Sequence, residues 1–135
     1  MFGRIAHIGI AVKDLKKSIE LYSTLFGTKP IHAEHVGEQQ VNSAVFSFGG
    51  TSIELLESTA PESPIAKFIE KRGEGMHHVS FVVDDIVEEL ARLKKAGFQL
   101  IDEHPRKGAD NYLVAFVHPK SSNGVLIEIS QKSSR

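Results

Sequence analysis

The alternation of apolar and polar positions sets out two rounds of the same element order. Ile5 to Val12 alternates with period two and reads as a strand. Asp14 then caps a run in which Leu15, Ile19, Tyr22 and Phe26 recur at helical spacing until Gly27 ends it. Three further strands are expected at Ile31 to Val36, Val41 to Phe48 and Ser52 to Leu56, the last two joined by a Gly49-Gly50 turn where positive φ costs little. From His77 to Val83 a strand returns. Asp84-Asp85 caps a helix through Ile86, Leu90 and Leu93, Gly97 ends it, and strands are expected near 98 to 103, 112 to 118 and 124 to 130. Both rounds read βαβββ. Between them, Ser63 as N-cap, Pro64 at the first helical position and the stripe Ile65, Phe68, Ile69 predict a short helix closed by Gly73 and Gly75.

These patterns predict an α+β fold of two tandem βαβββ modules, about 1–57 and 76–135, joined by a helical connector at 58–75 within a single domain spanning 1–135. Neither half of about seventy residues alone buries much apolar surface, which favours a shared core. A fused duplication fits that constraint, and spacing supports it. His7 and His78 lie 71 positions apart, as do Ala44 and Ala115, whereas Glu54 and Glu128 lie 74 apart. Three residues must have been added between those points. The expected place is the last hairpin, tight at Gly49-Gly50-Thr51 and longer at His118 to Gly124, because insertion into a surface loop costs little.

Strand parity assigns faces. Ala6, Ile8, Ile10 and Val12 share one side of the first strand, and His7, Gly9 and Ala11 the other; His77, Val79, Phe81 and Val83 oppose His78, Ser80 and Val82. The larger apolar side chains should pack on helices, leaving His7 and His78 on the opposite face, where Gly9, Ala11 and Ser80 leave room for a ligand. Glu54 alternates with Ile53 and Leu55, and Glu128 with Ile127 and Ile129, so both carboxylates also leave the helix-packed face. The expected arrangement is a cupped mixed sheet with helices outside and four polar groups converging on one cavity. A lone strand histidine is more often a structural residue, and a Glu between isoleucines is more often a solvated edge. Repetition of both in register favours a shared metal or catalytic site. His77 reads as structural, and His32, His35, His104 and His118 have no repeat partners.

Composition changes the picture in three places. A formal charge of -1, with 41% apolar and 24% charged residues, gives no basic excess for nucleic acid. The absence of Cys excludes thiol catalysis and thiolate ligands, so a metal would be held by His, Asp, Glu or neutral oxygen. No apolar run reaches bilayer length, and the first strand opens within five residues of Met1, so the expectation is a cytoplasmic protein with no membrane partner.

The strings H-I-G-I-A-V-K-D-L at 7 to 15, I-E-L-L-E at 53 to 57, S-P-I-A-K-F at 63 to 68, G-M-H-H-V at 75 to 79 and H-P-K-S-S-N-G-V-L-I-E-I at 118 to 129 resemble the vicinal oxygen chelate superfamily. Within it they are similar to the methylmalonyl-CoA epimerase family. The first string is widespread across the superfamily; S-P-I-A-K-F, E-K-R-G-E-G-M-H-H and H-P-K-S are more particular, and the match runs along nearly the whole chain.

The resemblance implies one divalent ion per chain, cobalt first and manganese, nickel, zinc or ferrous iron as alternatives, held by His7, Glu54, His78 and Glu128. Glu54 occupies a position that is Gln in some relatives. It implies interconversion of the two epimers of methylmalonyl-CoA through an enolate. The pseudo-twofold placement of the two carboxylates makes Glu128 the expected acid-base group, with Glu54 or another cavity carboxylate as its counterpart and Glu38 a further candidate. It implies an acyl-CoA substrate and a homodimer. Lys120 is the candidate substrate contact, while Lys67, Lys71, Arg72 and Arg106 are other cations available to CoA phosphates. The same scaffold also serves glyoxalase-like isomerases, ferrous extradiol-type dioxygenases and drug-binding resistance proteins. Four retained ligands argue against the last, and the fourth, Glu54, would crowd an iron that must admit both substrate and oxygen.

Overall fold

The computed structural model describes residues 1–37 and 40–133. Its elements are β1 (Phe2–Ala11), α1 (Leu15–Phe26), β2 (His32–Val36), β3 (Val41–Phe48), β4 (Thr51–Ser58), α2 (Pro64–Arg72), β5 (Gly75–Val83), α3 (Ile86–Lys95), β6 (Arg106–Lys107), β7 (Tyr112–Val117) and β8 (Ile127–Lys132). The hydrogen-bonded strand order is β2-β3-β4-β1-β5-β8-β7-β6, a mixed sheet in which β1·β4 and β5·β8 are parallel and the hairpin pairs antiparallel.

Each helix starts on the residue type its free amides require. Asp14 accepts from the amide of Lys17, Ser63 from that of Ala66 and Asp85 from that of Glu88. Gly27 closes α1 at φ 70°, a conformation that would strain any side chain bearing a Cβ.

The chain divides into two compact units, His7–His77 and Met1–Ala6 with His78–Arg135. In the first, α1 lays Leu15, Ile19, Tyr22 and Phe26 over Val12, Phe46 and Leu55. Phe46 and Leu55 are fully buried, and each such side chain contributes about 1.5–3 kcal/mol relative to exposure. The connector helix α2 packs elsewhere, placing Ile65, Phe68 and Ile69 on Ala11, Val41 and Leu56. Leu55 and Leu56 are thus both buried although adjacent on one strand, because α1 covers one face of β4 and α2 the other.

In the second unit, α3 packs Ile86, Leu90 and Leu93 against Ala115, Val117 and Ile129. The first half of β1 belongs here. The Phe2 ring lies 5.5 Å from that of Phe81, and the Cα of Gly3 faces the carbonyl of Val82 so closely that an added Cβ would sit 3.3 Å from it.

Register confirms the three-residue insertion. Phe46 pairs with Ile53 and Val45 with Glu54; Val117 pairs with Ile127 and Phe116 with Glu128. The two hairpins are therefore in the same register above their turns. The extra residues fall in the second loop, a 3₁₀ turn at Pro119–Ser121 followed by Asn123 and Gly124 at positive φ.

The strand expected at 98 to 103 does not form. This stretch makes a single bridge, Leu100 to Val117, and the second strand of the second module is the two-residue β6. A side chain takes the place of the ladder: the Asp102 carboxylate accepts the Phe116 amide at 2.9 Å. Pro105, which has no amide to donate, follows at once.

Candidate metal and acid-base site

In the unit His7–His77, β1 and β4 run parallel with Gly9 opposite Glu54 and His7 opposite Ser52. His7, Gly9 and Glu54 therefore share the face that α1 does not cover. The imidazole and carboxylate meet there, with His7 Nδ1 3.3 Å from Glu54 Oε2 and both side chains half-buried. Gly9, the register partner of Glu54, carries no side chain on this face. His32 and Glu34 stand at the outer strand of the same unit, 3.4 Å apart and more exposed. His77 does not join this face; its ring packs edge-on against Phe68 at 5.0 Å, and Arg72 lies over the other ring, which agrees with a structural reading.

In the other unit, β5 and β8 repeat the relationship with Ser80 opposite Glu128. His78 Nε2 lies 3.9 Å from Glu128 Oε1, and both side chains are buried, each about 8% exposed. Phe116 walls this pair. It is the register partner of Glu128, its ring meets that of His78 edge-on at 5.8 Å, and Arg106 stacks over it at 5.6 Å. Asp102 fixes the wall by binding the Phe116 amide and lying 3.3 Å from Arg106 Nε.

Each unit thus brings one imidazole and one carboxylate together on parallel neighbouring strands. Two donors about 2.1 Å from a common ion, at angles of roughly 90–110°, stand about 3–3.5 Å apart. The His7–Glu54 separation falls in that interval and the His78–Glu128 separation is slightly wider. Nitrogen and carboxylate donors without a thiolate suit first-row divalent ions.

Lys120 sits exposed in the turn after β7, where its own amide donates to His118 Nδ1 at 3.0 Å. Glu38 lies outside the described residues. Sequence reasoning missed Phe116 as a wall and treated Ser80 only as a small neighbour. The signal for Phe116 was its position opposite the carboxylate strand. For Ser80 it was a hydroxyl at the repeat position where the first module has Gly9.

The chain matches the Glyoxalase/Bleomycin resistance protein/Dioxygenase superfamily over residues 6–116. It is 41% identical over 128 residues to the uncharacterized protein YqjC of Bacillus subtilis, covering 95% of this chain and 91% of that one. It is 37% identical over 130 residues to the mitochondrial methylmalonyl-CoA epimerase of Homo sapiens, covering 96% and 74%. Among solved structures, a variant of Streptomyces coelicolor methylmalonyl-CoA epimerase in complex with 2-nitronate-propionyl-CoA is 34% identical, with a TM-score of 0.90 over 99% of this chain and 97% of that one. No described helix is long and apolar enough to cross a membrane.

Proposed function

Because the chain belongs to the Glyoxalase/Bleomycin resistance protein/Dioxygenase superfamily and, within it, to the methylmalonyl-CoA epimerase family, we propose that it interconverts the two epimers of methylmalonyl-CoA with one divalent ion per chain. The observation that carries this reading is the repeated His–Glu pair, His7 with Glu54 and His78 with Glu128, each on the strand face that α1 or α3 leaves uncovered.

These four side chains form the ligand set. Cobalt is the first choice of ion, with manganese, nickel, zinc and ferrous iron as alternatives, since two imidazoles and two carboxylates bind all of them and affinity alone does not select one. When bound, such an ion supplies Lewis acidity that makes the proton between a thioester carbonyl and a carboxylate removable.

The chain's own residues move that proton. Glu128 takes it from the α-carbon, leaving the C–H electron pair delocalised on the substrate as an enolate. A second carboxylate, Glu54 in this reading, returns a proton to the same carbon from the other side; before the next turnover Glu54 regains a proton from solvent and Glu128 gives up the one it took. Glu128 thereby serves both as ligand and as acid-base group. Phe116 and the buried setting of His78 and Glu128 keep bulk water from the carbanion. Lys120, on the exposed turn, is offered as a cation for the CoA phosphates. The active species is a homodimer.

The deciding experiment incubates the metal-loaded protein with one epimer in deuterium oxide and follows inversion and α-deuterium together. Inversion accompanied by α-deuterium is expected. Neither inversion nor exchange would overturn the epimerase reading and return attention to isomerase or dioxygenase substrates of the superfamily.

A further inference from the structure

The two halves of the duplication differ where their symmetry would make them alike. The register partner of Glu54 on β1 is Gly9, and the register partner of Glu128 on β5 is Ser80. One carboxylate therefore has a bare backbone beside it and the other a hydroxyl.

That hydroxyl is unusual in its own unit. Ser80 is fully buried, and its Oγ has no hydrogen-bond partner among the described residues. The other buried hydroxyl on the same face, Ser130, donates to the carbonyl of Phe81 at 3.4 Å. Ser63, buried in the first unit, receives the Ala66 amide and meets Ser58 Oγ at 2.6 Å. A buried hydroxyl left without a partner destabilises a fold, and alanine would fill the same space without that cost.

Resting on the epimerase reading above, we infer that Ser80 is a positioning residue for Glu128, its hydroxyl donating to the carboxylate when that group turns away from His78 toward the reacting carbon. Ser80 and Glu128 are register partners on neighbouring strands about 4.8 Å apart, which puts the two side chains side by side on one face. Ser80 is too deeply buried to touch substrate, and it acts only through Glu128. A carboxylate that must be both ligand and acid-base group needs two resting positions, one beside His78 and one elsewhere. The Ser80 hydroxyl supplies a donor for the second. The equivalent register position beside Glu54 is Gly9, so a hydroxyl of this kind is built in beside Glu128.

The test compares wild type with Ser80→Ala by three measurements: thermal unfolding of the metal-free protein, kcat and KM for inversion, and α-deuterium wash-in. The expected result is a metal-free midpoint raised by about 2–5 °C, because the unpartnered hydroxyl is gone. With it should come a kcat reduced about tenfold or more, as for loss of a hydrogen bond to a charged group, and a KM within about twofold of wild type. Wash-in should slow in parallel with inversion. An active wild type alongside a Ser80→Ala variant of unchanged kcat overturns this inference alone, as does a variant whose midpoint falls together with its activity, which marks Ser80 as ordinary packing. A wild type without inversion or exchange overturns the epimerase reading and this inference with it.

Discussion

His7 Nδ1 lies 3.3 Å from Glu54 Oε2, brought there by the parallel pairing of β1 and β4 rather than by any local turn. The pair stands at ligand spacing, so removing the imidazole should affect ion binding more than folding. His7→Ala is expected to weaken divalent-ion affinity by at least about 100-fold, since even partners behind the ligands change it 10–100-fold. Calorimetric titration with cobalt and manganese, beside thermal unfolding of the metal-free variant, reads this directly. Unchanged affinity would remove His7 from the ligand set.

Glu128→Gln keeps the size of the side chain and removes its capacity to take a proton. Turnover should fall by about 10²–10⁴, and deuterium wash-in at the substrate α-carbon should fall with it. Wash-in at the wild-type rate would mean that another group performs the first proton transfer.

Asp102 binds the Phe116 amide at 2.9 Å and lies 3.3 Å from Arg106 Nε. Asp102→Ala leaves that amide without its acceptor and frees the Arg106 side chain that stacks on the Phe116 ring. A loss of about 1–3 kcal/mol in urea unfolding is expected, with faster amide exchange at Phe116. If stability and exchange both stay at wild-type values, the carboxylate is not what holds this segment beside β7.

Glu89 is buried on α3, hydrogen-bonded by the Met1 amine and by Arg92 Nε and Nη2 at 3.0 and 2.8 Å. The Met1 amine first, and Arg92 second, hold its carboxyl below the usual carboxylate range. Its folded pKa is thus lower than its unfolded one, so its contribution is fully present above the ordinary range and is lost as pH falls through the folded value. The Met1 amine is raised by its hydrogen bond to Glu89, and its share is lost as pH rises through the raised value. Glu89→Gln should be less stable than wild type near neutrality, the gap closing in acid. A gap independent of pH would separate Glu89 from the acid transition.

Much of this architecture was legible because the relevant physics is local. Asp14, Asp85 and Ser63-Pro64 announce helix starts, and the jump in repeat spacing from 71 to 74 located the insertion in the second hairpin. Parity alone put His7, Glu54, His78 and Glu128 on the faces opposite those that α1 and α3 cover. What was not legible depends on partners distant in sequence. Residues 98 to 103 carry enough apolar character for a strand, but the Asp102 side chain takes the amide that a strand carbonyl would have bound. The adjacent pair Leu55-Leu56 carried the trace of a second helix on β4, since a strand solvated on one face would not bury both. Ser80 could be read as small from its residue type; that its hydroxyl lacks a partner is a property of the packed state.

The segment Met1–Ala6 is made before all of the unit His7–His77 yet belongs to the unit whose remaining residues, His78–Arg135, are made after it. At a synthesis rate of about 5–20 residues per second, the opening half of β1 waits several seconds for the β5 segment it lies beside. Its continuation from His7 can pair with β4, which precedes β5 in the chain, somewhat sooner. A gene cut between the two repeats would therefore yield two fragments, with the second lacking the strand half encoded at the start of the first.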